Sequence, residues 1–190
     1  AFVRMRFRPE GHPGTEARRA LGLSDKEEFP IKKEILFETL ITAKGAKHFL
    51  EITGGLLTHY DPNGGLQYQA FEPSETLAIG GVLSLEEKFL AGEGQNITPA
   101  RFSNDTAAAK LISSKVKADL EKVAAILGVE GYARIDAFVR IFENNQIETI
   151  VIEVNSLPGM TPANCICHQA ALRNYKPYEF IDRILTFAFQ

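Results

Sequence analysis

The sequence predicts an α+β fold in which an antiparallel sheet packs against helices. Three observations carry that prediction: strands with a period of two, one long amphipathic helix, and turn residues placed to join strands as hairpins. Residues 1–34 are irregular and rich in Gly, Pro and charge, with a short helix expected over 16–21. From Ile35 the texture changes. "EILFETLI", "KHFLEITGGLLTHYD" and "LQYQAFEP" read as strands, and Asp61-Pro62-Asn63-Gly64-Gly65 marks a turn between the second and third. Residues 73–104 read as one long connection with little periodicity, a kind of loop that is usually functional or disordered. A mobile segment is expected within it over 85–96, around Gly92 and Gly94. A helix follows over 106–127, with Ala108, Leu111, Ile112, Val116, Leu120, Val123, Ala124 and Leu127 at helical spacing. Asn104 or Asp105 can cap its start and Gly128 can end it.

Residues 134–155 are expected to form a hairpin. Tyr132, Arg134, Asp136, Phe138 and Arg140 alternate with Ala133, Ile135, Ala137, Val139 and Ile141, as in a strand with one apolar face. On the return, Ile150, Ile152 and Val154 alternate with Val151, Glu153 and Asn155. Asn tolerates positive φ, so a two-residue turn at Asn144-Asn145 would pair Glu143 with Gln146. Counting back from that turn sets Asp136 across from Glu153, and Arg134 across from Asn155. Two carboxylates with Cβ atoms ~5 Å apart repel by roughly 3 kcal/mol at an effective dielectric of ~20, and by under ~1 kcal/mol in open water. Either this face is solvated and the charges are harmless, or a cation lies between them. After the hairpin come "SLPGMTPANC" and one or two helices through residues 169–189.

The chain has 190 residues, enough for one ordinary domain or two small ones, and its 45% hydrophobic content suits a sizeable core. A net charge of −3 gives no electrostatic reason to expect nucleic acid or an acidic membrane surface. No run of ~20 apolar residues suggests a membrane span. The two cysteines, Cys165 and Cys167, lie too close together for a disulfide framework, so a reducing cytoplasm is the simplest expectation. The chain opens at Ala1 rather than at a methionine, which is expected of a processed or trimmed product.

The segment after Asn155 decides between a solvated face and a site. Pro158-Gly159 is a turn signal, and Gly159 lets a ligand approach the backbone. Carboxylates, an amide oxygen and an arginine are thus gathered beside an accessible N–H. Oxygen ligands of this kind suit Mg²⁺, which keeps several waters and is shared with substrate phosphates. Other candidates are weaker. Cys165-x-Cys167-His168 lacks a second ligand pair, so both thiols are expected to pack as small hydrophobes at a helix start. His12, His48 and His59 have no partner cluster, and the acidic run over 25–28 reads as a solvated face.

"ARIDAFV…IVIEVNSLPGMTP" resembles the metal-binding hairpin and following loop of D-alanine–D-alanine ligases, members of the ATP-grasp superfamily. "LEEKFLAGEGQNITPARF" resembles the loop that closes over ATP in those enzymes, and the similarity runs from about Ile35 to the C-terminus. The resemblance implies that 35–190 form the C-terminal ATP-grasp subdomain, with 1–34 a remnant of a preceding region. It implies ATP and Mg²⁺ (or Mn²⁺) as cofactors, with Asp136, Glu153 and Asn155 as metal ligands. Arg134 matches the arginine that steadies the transferred phosphoryl group. Gly159 matches the oxyanion donor, a role played at the transition state. Lys88 matches the loop lysine on the ATP phosphates, and Glu38 lies near the residue that recognises adenine.

Three departures bear on the second substrate and the ribose. Phe89 follows the loop lysine where tyrosine is common, and Asn164 stands where a serine grips the substrate carboxylate. For the ribose-binding acid, "TAKGAKHFLE" offers only Glu51 after an insertion. A larger gap is the phosphate-gripping subdomain, which residues 1–34 cannot hold.

The resemblance therefore implies the C-terminal part of an ATP-dependent carboxylate–amine ligase working through an acyl phosphate in peptidoglycan precursor synthesis. D-alanine would be the small-molecule substrate, in a bacterial cytoplasm, and the full-length enzyme is compatible with a homodimer. The chain alone is expected to be inactive. The alternatives are an ATP-grasp ligase for another amino or hydroxy acid, and a nucleotide-binding module without catalysis.

Overall fold

The computed structural model describes residues 3–5, 37–77, 96–143, 146–161 and 164–189. The helix expected over 16–21, Lys88, Phe89 and Asn144-Asn145 lie outside the described residues, as does all of the expected mobile segment except Asn96. The chain divides into two compact units, Ala1–Thr42 and Ala43–Gln190. In the first, β1 (Val3–Met5) pairs antiparallel with β2 (Phe37–Thr39), which sets Arg4 across from Glu38.

The second unit is built on an antiparallel sheet with strand order β6-β5-β3-β7-β8, and β4 also pairs with β3. The strands are β3 (His48–Tyr60), β4 (Leu66–Ala70), β5 (Ser74–Thr76), β6 (Asn96–Ile97), β7 (Tyr132–Ile141) and β8 (Ile147–Asn155). The sequence reading treats 73–104 as one aperiodic connection, but β5 and β6 lie near its two ends and pair with each other. Strands of three and two residues are too short to show a period. The expected turn after β3 is present. Asp61 Oδ1 accepts from the amides of Asn63 and Gly65, each at 2.8 Å, and Gly64 takes φ 81°. These bonds hold the Asp61 carboxyl below the usual carboxylate range.

One edge of β3 is shared. It pairs with β5 over Glu51–Thr53 and with β4 over Leu56–Tyr60. Gly54 and Gly55 occupy the changeover, and each is required by a close approach on one face of the sheet. A Cβ on Gly54 would meet Leu120 Cδ1 at 2.3 Å, and one on Gly55 would meet Gln169 Oε1 at 2.6 Å.

Helix α1 (Thr106–Leu127) supplies that Leu120 and has the expected ends. Asp105 accepts from the Ala108 amide at 2.7 Å, and Gly128 closes the helix at φ 62°. Its buried face is Ile112, Ser113, Val116, Leu120 and Ala124. Leu111 and Leu127, part of the apolar period, are 67% and 59% exposed, so the buried stripe is narrower than that period. Helix α2 (Cys165–Leu172) and helix α3 (Pro177–Ala188) complete the unit. One core joins α1 to Leu50, Ile52, Leu56, Ile135, Ala137 and Val139. A second gathers Leu57, Phe71, Ile166, Ala170 and Phe180 under α2 and α3.

Candidate active site on the β7–β8 hairpin

Pairing of β7 with β8 places Asp136 across from Glu153 and Arg134 across from Asn155, as the sequence predicts. The route to that pairing differs from the expectation. At the turn, the Phe142 amide donates to Gln146 O at 3.0 Å, and Ile141 faces Ile147. Glu143 therefore does not pair with Gln146, and the register near the turn is one residue off. A bulge restores it: Ala137 faces Val151 and Asp136 faces Glu153, so Ile152 is the extra residue. The expected faces of β8 change accordingly. Val154 and Ile147 pack on the main core. Ile150 lies opposite Phe138, and Ile152 is 43% exposed.

β3 continues the row, with Thr53 opposite Asp136 and Gly55 opposite Arg134. Asp136 is 9% exposed and is held by Thr53 and Arg134. Its Oδ1 accepts from Thr53 Oγ1 at 2.6 Å and from Arg134 Nε at 3.0 Å, while Oδ2 accepts from Arg134 Nη2 at 3.0 Å. The same Nη2 lies 3.7 Å from Glu153 Oε1. The guanidinium thus offsets the repulsion between the two carboxylates. A carboxylate offers about four lone-pair sites, so Oδ2 retains capacity for one more partner.

Asn155 uses Oδ1 to accept from the Leu157 amide at 3.0 Å, which turns the chain out of β8. Pro158 is buried and Gly159 is exposed. Asn164 packs onto Gly159: a Cβ there would meet Asn164 Nδ2 at 3.1 Å. That Nδ2 donates to Thr161 Oγ1 at 2.7 Å, so the Asn164 side chain does not cap α2, although the residue is its N-cap. Free amides at a helix start favour an anion.

Cys165 is the first residue of α2, beside the ion pair. Burial pushes its thiol up; the neighbouring Ser74 and Arg134 oppose that shift, and Asp136 adds to it. Cys167 packs against the second core, and burial pushes its thiol up as well. Beyond Asp136 on the same face, Phe138 stacks on Phe49 with centroids 5.1 Å apart. Arg140, 2% exposed, donates to Glu148 Oε2 at 2.8 Å.

The structure thus brings Arg134, Asp136, Glu153 and Asn155 together, and Gly159 with Asn164 beside α2. Among the described residues, no three His, Cys, Asp or Glu side chains converge. The donor set is two carboxylates and an amide oxygen, which fits a hard cation that also keeps waters. Glu38 belongs to β2 in the first unit. The sequence reading missed Thr53, Ser74 and Gln169, all buried polar residues behind Asp136. The paired glycines in "ITGGLL" were the available signal, because glycine inside a strand marks a close approach.

The family described as the D-alanine–D-alanine ligase C-terminus matches residues 26–186. The chain belongs to this family. The D-alanine–D-alanine ligase of Desulforamulus reducens is 29% identical over 140 residues, covering 74% of this chain and 39% of that protein. The D-alanine–D-alanine ligase of Syntrophobacter fumaroxidans is 29% identical over 143 residues, covering 75% and 41%. The chain therefore spans about two fifths of the length of these curated relatives. The D-alanine–D-alanine ligase structure from Bacillus anthracis aligns with a TM-score of 0.50 at 16% identity, over 82% of this chain and 42% of that one. That likeness shows the fold, an α+β sheet with helices. Among the described residues, no helix is long and apolar enough to cross a membrane.

Proposed function

We propose that this chain is the metal-binding half of an ATP-dependent ligase that joins a carboxylate to an amine, with D-alanine as its substrate. The observation that carries the reading is the opposition of Asp136 and Glu153 on one face, with Arg134 between them. A pair of carboxylates held this way needs positive charge, and the Arg134 guanidinium is shared between the two.

Asp136, Glu153 and Asn155 would hold Mg²⁺ or Mn²⁺. When bound, the cation offsets charge on the phosphates of ATP as the terminal phosphoryl group is transferred. Arg134 steadies that group, and Lys88 grips the phosphates from the loop. The substrate carboxylate receives the phosphoryl group, and the amine of the second substrate then attacks the acyl phosphate. The amide of Gly159 donates to the oxyanion of that addition. Asn164, packed against Gly159, orients the second substrate together with the start of α2. Glu38 recognises adenine, and Phe89 bounds the second-substrate pocket. The product class is a dipeptide precursor of peptidoglycan, made in a bacterial cytoplasm, and the full-length protein is compatible with a homodimer. Asn164 in place of serine favours one second reading, a ligase for another amino or hydroxy acid.

The test is phosphate release by the full-length protein with ATP, Mg²⁺ and D-alanine. Turnover should depend on D-alanine, and Glu153→Gln should lower it by about a hundredfold or more. Equal turnover by the variant at saturating Mg²⁺ would remove the metal assignment. Turnover that requires a different amino or hydroxy acid would replace the substrate.

A further inference from the structure

Gln169 is fully buried on α2, and both ends of its amide are spoken for. Its Oε1 accepts from the Gly55 amide at 2.6 Å, and its Nε2 donates to Thr53 O and to Ser74 Oγ, each at 2.8 Å. Thr53 and Gly55 point their main-chain groups to the same edge of β3, at the gap between the end of β4 and the start of β5. The side-chain amide therefore stands in for one residue of a neighbouring strand at the gap. Ser74 Oγ also shares a 2.6 Å hydrogen bond with Thr98 Oγ1, so the clamp reaches the segment that follows β6.

This clamp lies directly behind the candidate metal site. Thr53 is 7% exposed and sits opposite Asp136, donating to Oδ1 at 2.6 Å. β-branching stiffens the Thr53 side chain at χ1, and Gln169 fixes the main chain that carries it. The other partner of Asp136, Arg134, also reaches toward Glu153 and has a phosphoryl group to serve. The Thr53 hydroxyl has no second partner among the described bonds.

We propose that Gln169 and Thr53 are positioning residues that hold the Asp136 carboxylate with Oδ2 available to a divalent cation. The inference rests on the metal-site reading above and extends it to a relay from α2 through β3 to β7. Orienting partners behind a ligand are worth about 10- to 100-fold in metal affinity. The relay also explains a glutamine buried among apolar residues of a helix, where an alanine or leucine would pack without needing three partners.

The test uses Mn²⁺ alone as the probe, titrated into this chain while the electron paramagnetic resonance signal of free Mn²⁺ is followed. Asp136→Asn should abolish the binding seen in the unaltered chain. Thr53→Val, which keeps the shape and removes the hydroxyl, should weaken it by about tenfold or more, and Thr53→Ser should restore it. The melting temperatures of the two Thr53 variants report any general loss of structure. Gln169→Met should weaken binding as Thr53→Val does, and the combined variant should be no weaker than either alone. If Thr53→Val binds Mn²⁺ as tightly as the unaltered chain while Asp136→Asn does not bind, the relay is refuted and the metal site stands. If Asp136→Asn changes nothing, or the unaltered chain does not bind, the metal reading falls and the relay with it.

Discussion

Asp136 faces Glu153 across β7 and β8 because Ile152 is an extra residue in β8. Carried unchanged from the turn, the register would set Asp136 against Ile152 and turn Glu153 toward the apolar face. A one-residue slip moves every later side chain to the opposite face. The bulge absorbs the mismatch between what the turn dictates and what the site requires, and bulges recur beside active sites for this reason.

Deleting Ile152 should therefore be tolerated. All observed pairs on either side of it survive the deletion, and the residue is 43% exposed. The shortened chain is expected to unfold in one cooperative step with a stability loss of less than about 1 kcal/mol, near the range of surface changes. Chemical denaturation measures it. A loss of several kcal/mol would show that the bulge itself, through its added twist, supports the sheet.

How far the sequence reveals this arrangement depends on the range of the interactions. Asp105 and Gly128 were legible as caps because capping chemistry is local. The facing of Asp136 and Glu153 follows in sequence from counting back from a two-residue turn at Asn144-Asn145, and it agrees with the structure only because the one-residue difference near the turn is cancelled by the bulge at Ile152. Leu111 and Leu127 misled because an apolar period says which face of a helix is buried, not how wide a stripe the sheet covers. Thr53 and Gln169 had no local pattern at all. They lie 83 residues from Asp136 and 116 residues from Thr53 in sequence, respectively, and only the fold joins them.

Gly55→Ala should be costly. Its Cβ would fall 2.6 Å from Gln169 Oε1 and 2.7 Å from Ile166 Cγ1, both on α2. The helix must shift, and overpacking of this kind costs about 1–3 kcal/mol. Because Asn164 and Cys165 begin the same helix, the shift should also reach the candidate site. Thermal unfolding checks the first effect, and alkylation of Cys165 by a maleimide, faster in the variant, checks the second. An unchanged melting temperature would contradict the close approach of α2.

Acid should loosen both the docking of α1 and the segment that leads into it. Glu75 is 8% exposed and accepts from Arg101 through Nε at 2.8 Å, Nη2 at 2.9 Å and the amide at 3.2 Å. The Arg101 fork holds the Glu75 carboxyl below the usual glutamate range. Burial would raise Glu72, but Lys117 and Ser113 of α1 outweigh it and hold this carboxyl low as well. A depressed folded value means that the stabilisation is present above the unfolded value, about 4.3 for glutamate, and is lost as pH falls through the folded value. Urea unfolding between about pH 6 and pH 3 should show this loss. Glu75→Gln should be less stable at neutral pH and should shed less stability on acidification. An unaltered acid slope in the variant would mean that other carboxylates set it.

The final prediction concerns the chain by itself. Phosphoryl transfer depends on positioning and electrostatic stabilisation, with little covalent chemistry for the protein to perform. Arg134, Asp136, Glu153 and Asn155 supply one side of such a site, and all four sit on a single hairpin supported by its own cores. The family match covers residues 26–186, and the chain spans about two fifths of the length of the curated relatives. On the proposed reading, the opposing phosphate grip belongs to a subdomain that 34 residues are too few to hold. These 190 residues should fold cooperatively, since both cores close without that grip. They should bind ATP weakly and release no phosphate at an enzymatic rate, because a nucleotide held from one side keeps its freedom and its water. Phosphate release by the isolated chain with ATP, Mg²⁺ and D-alanine is the measurement. Turnover above ~1 per second, within the ordinary range of enzymes, would show that this half positions the nucleotide unaided.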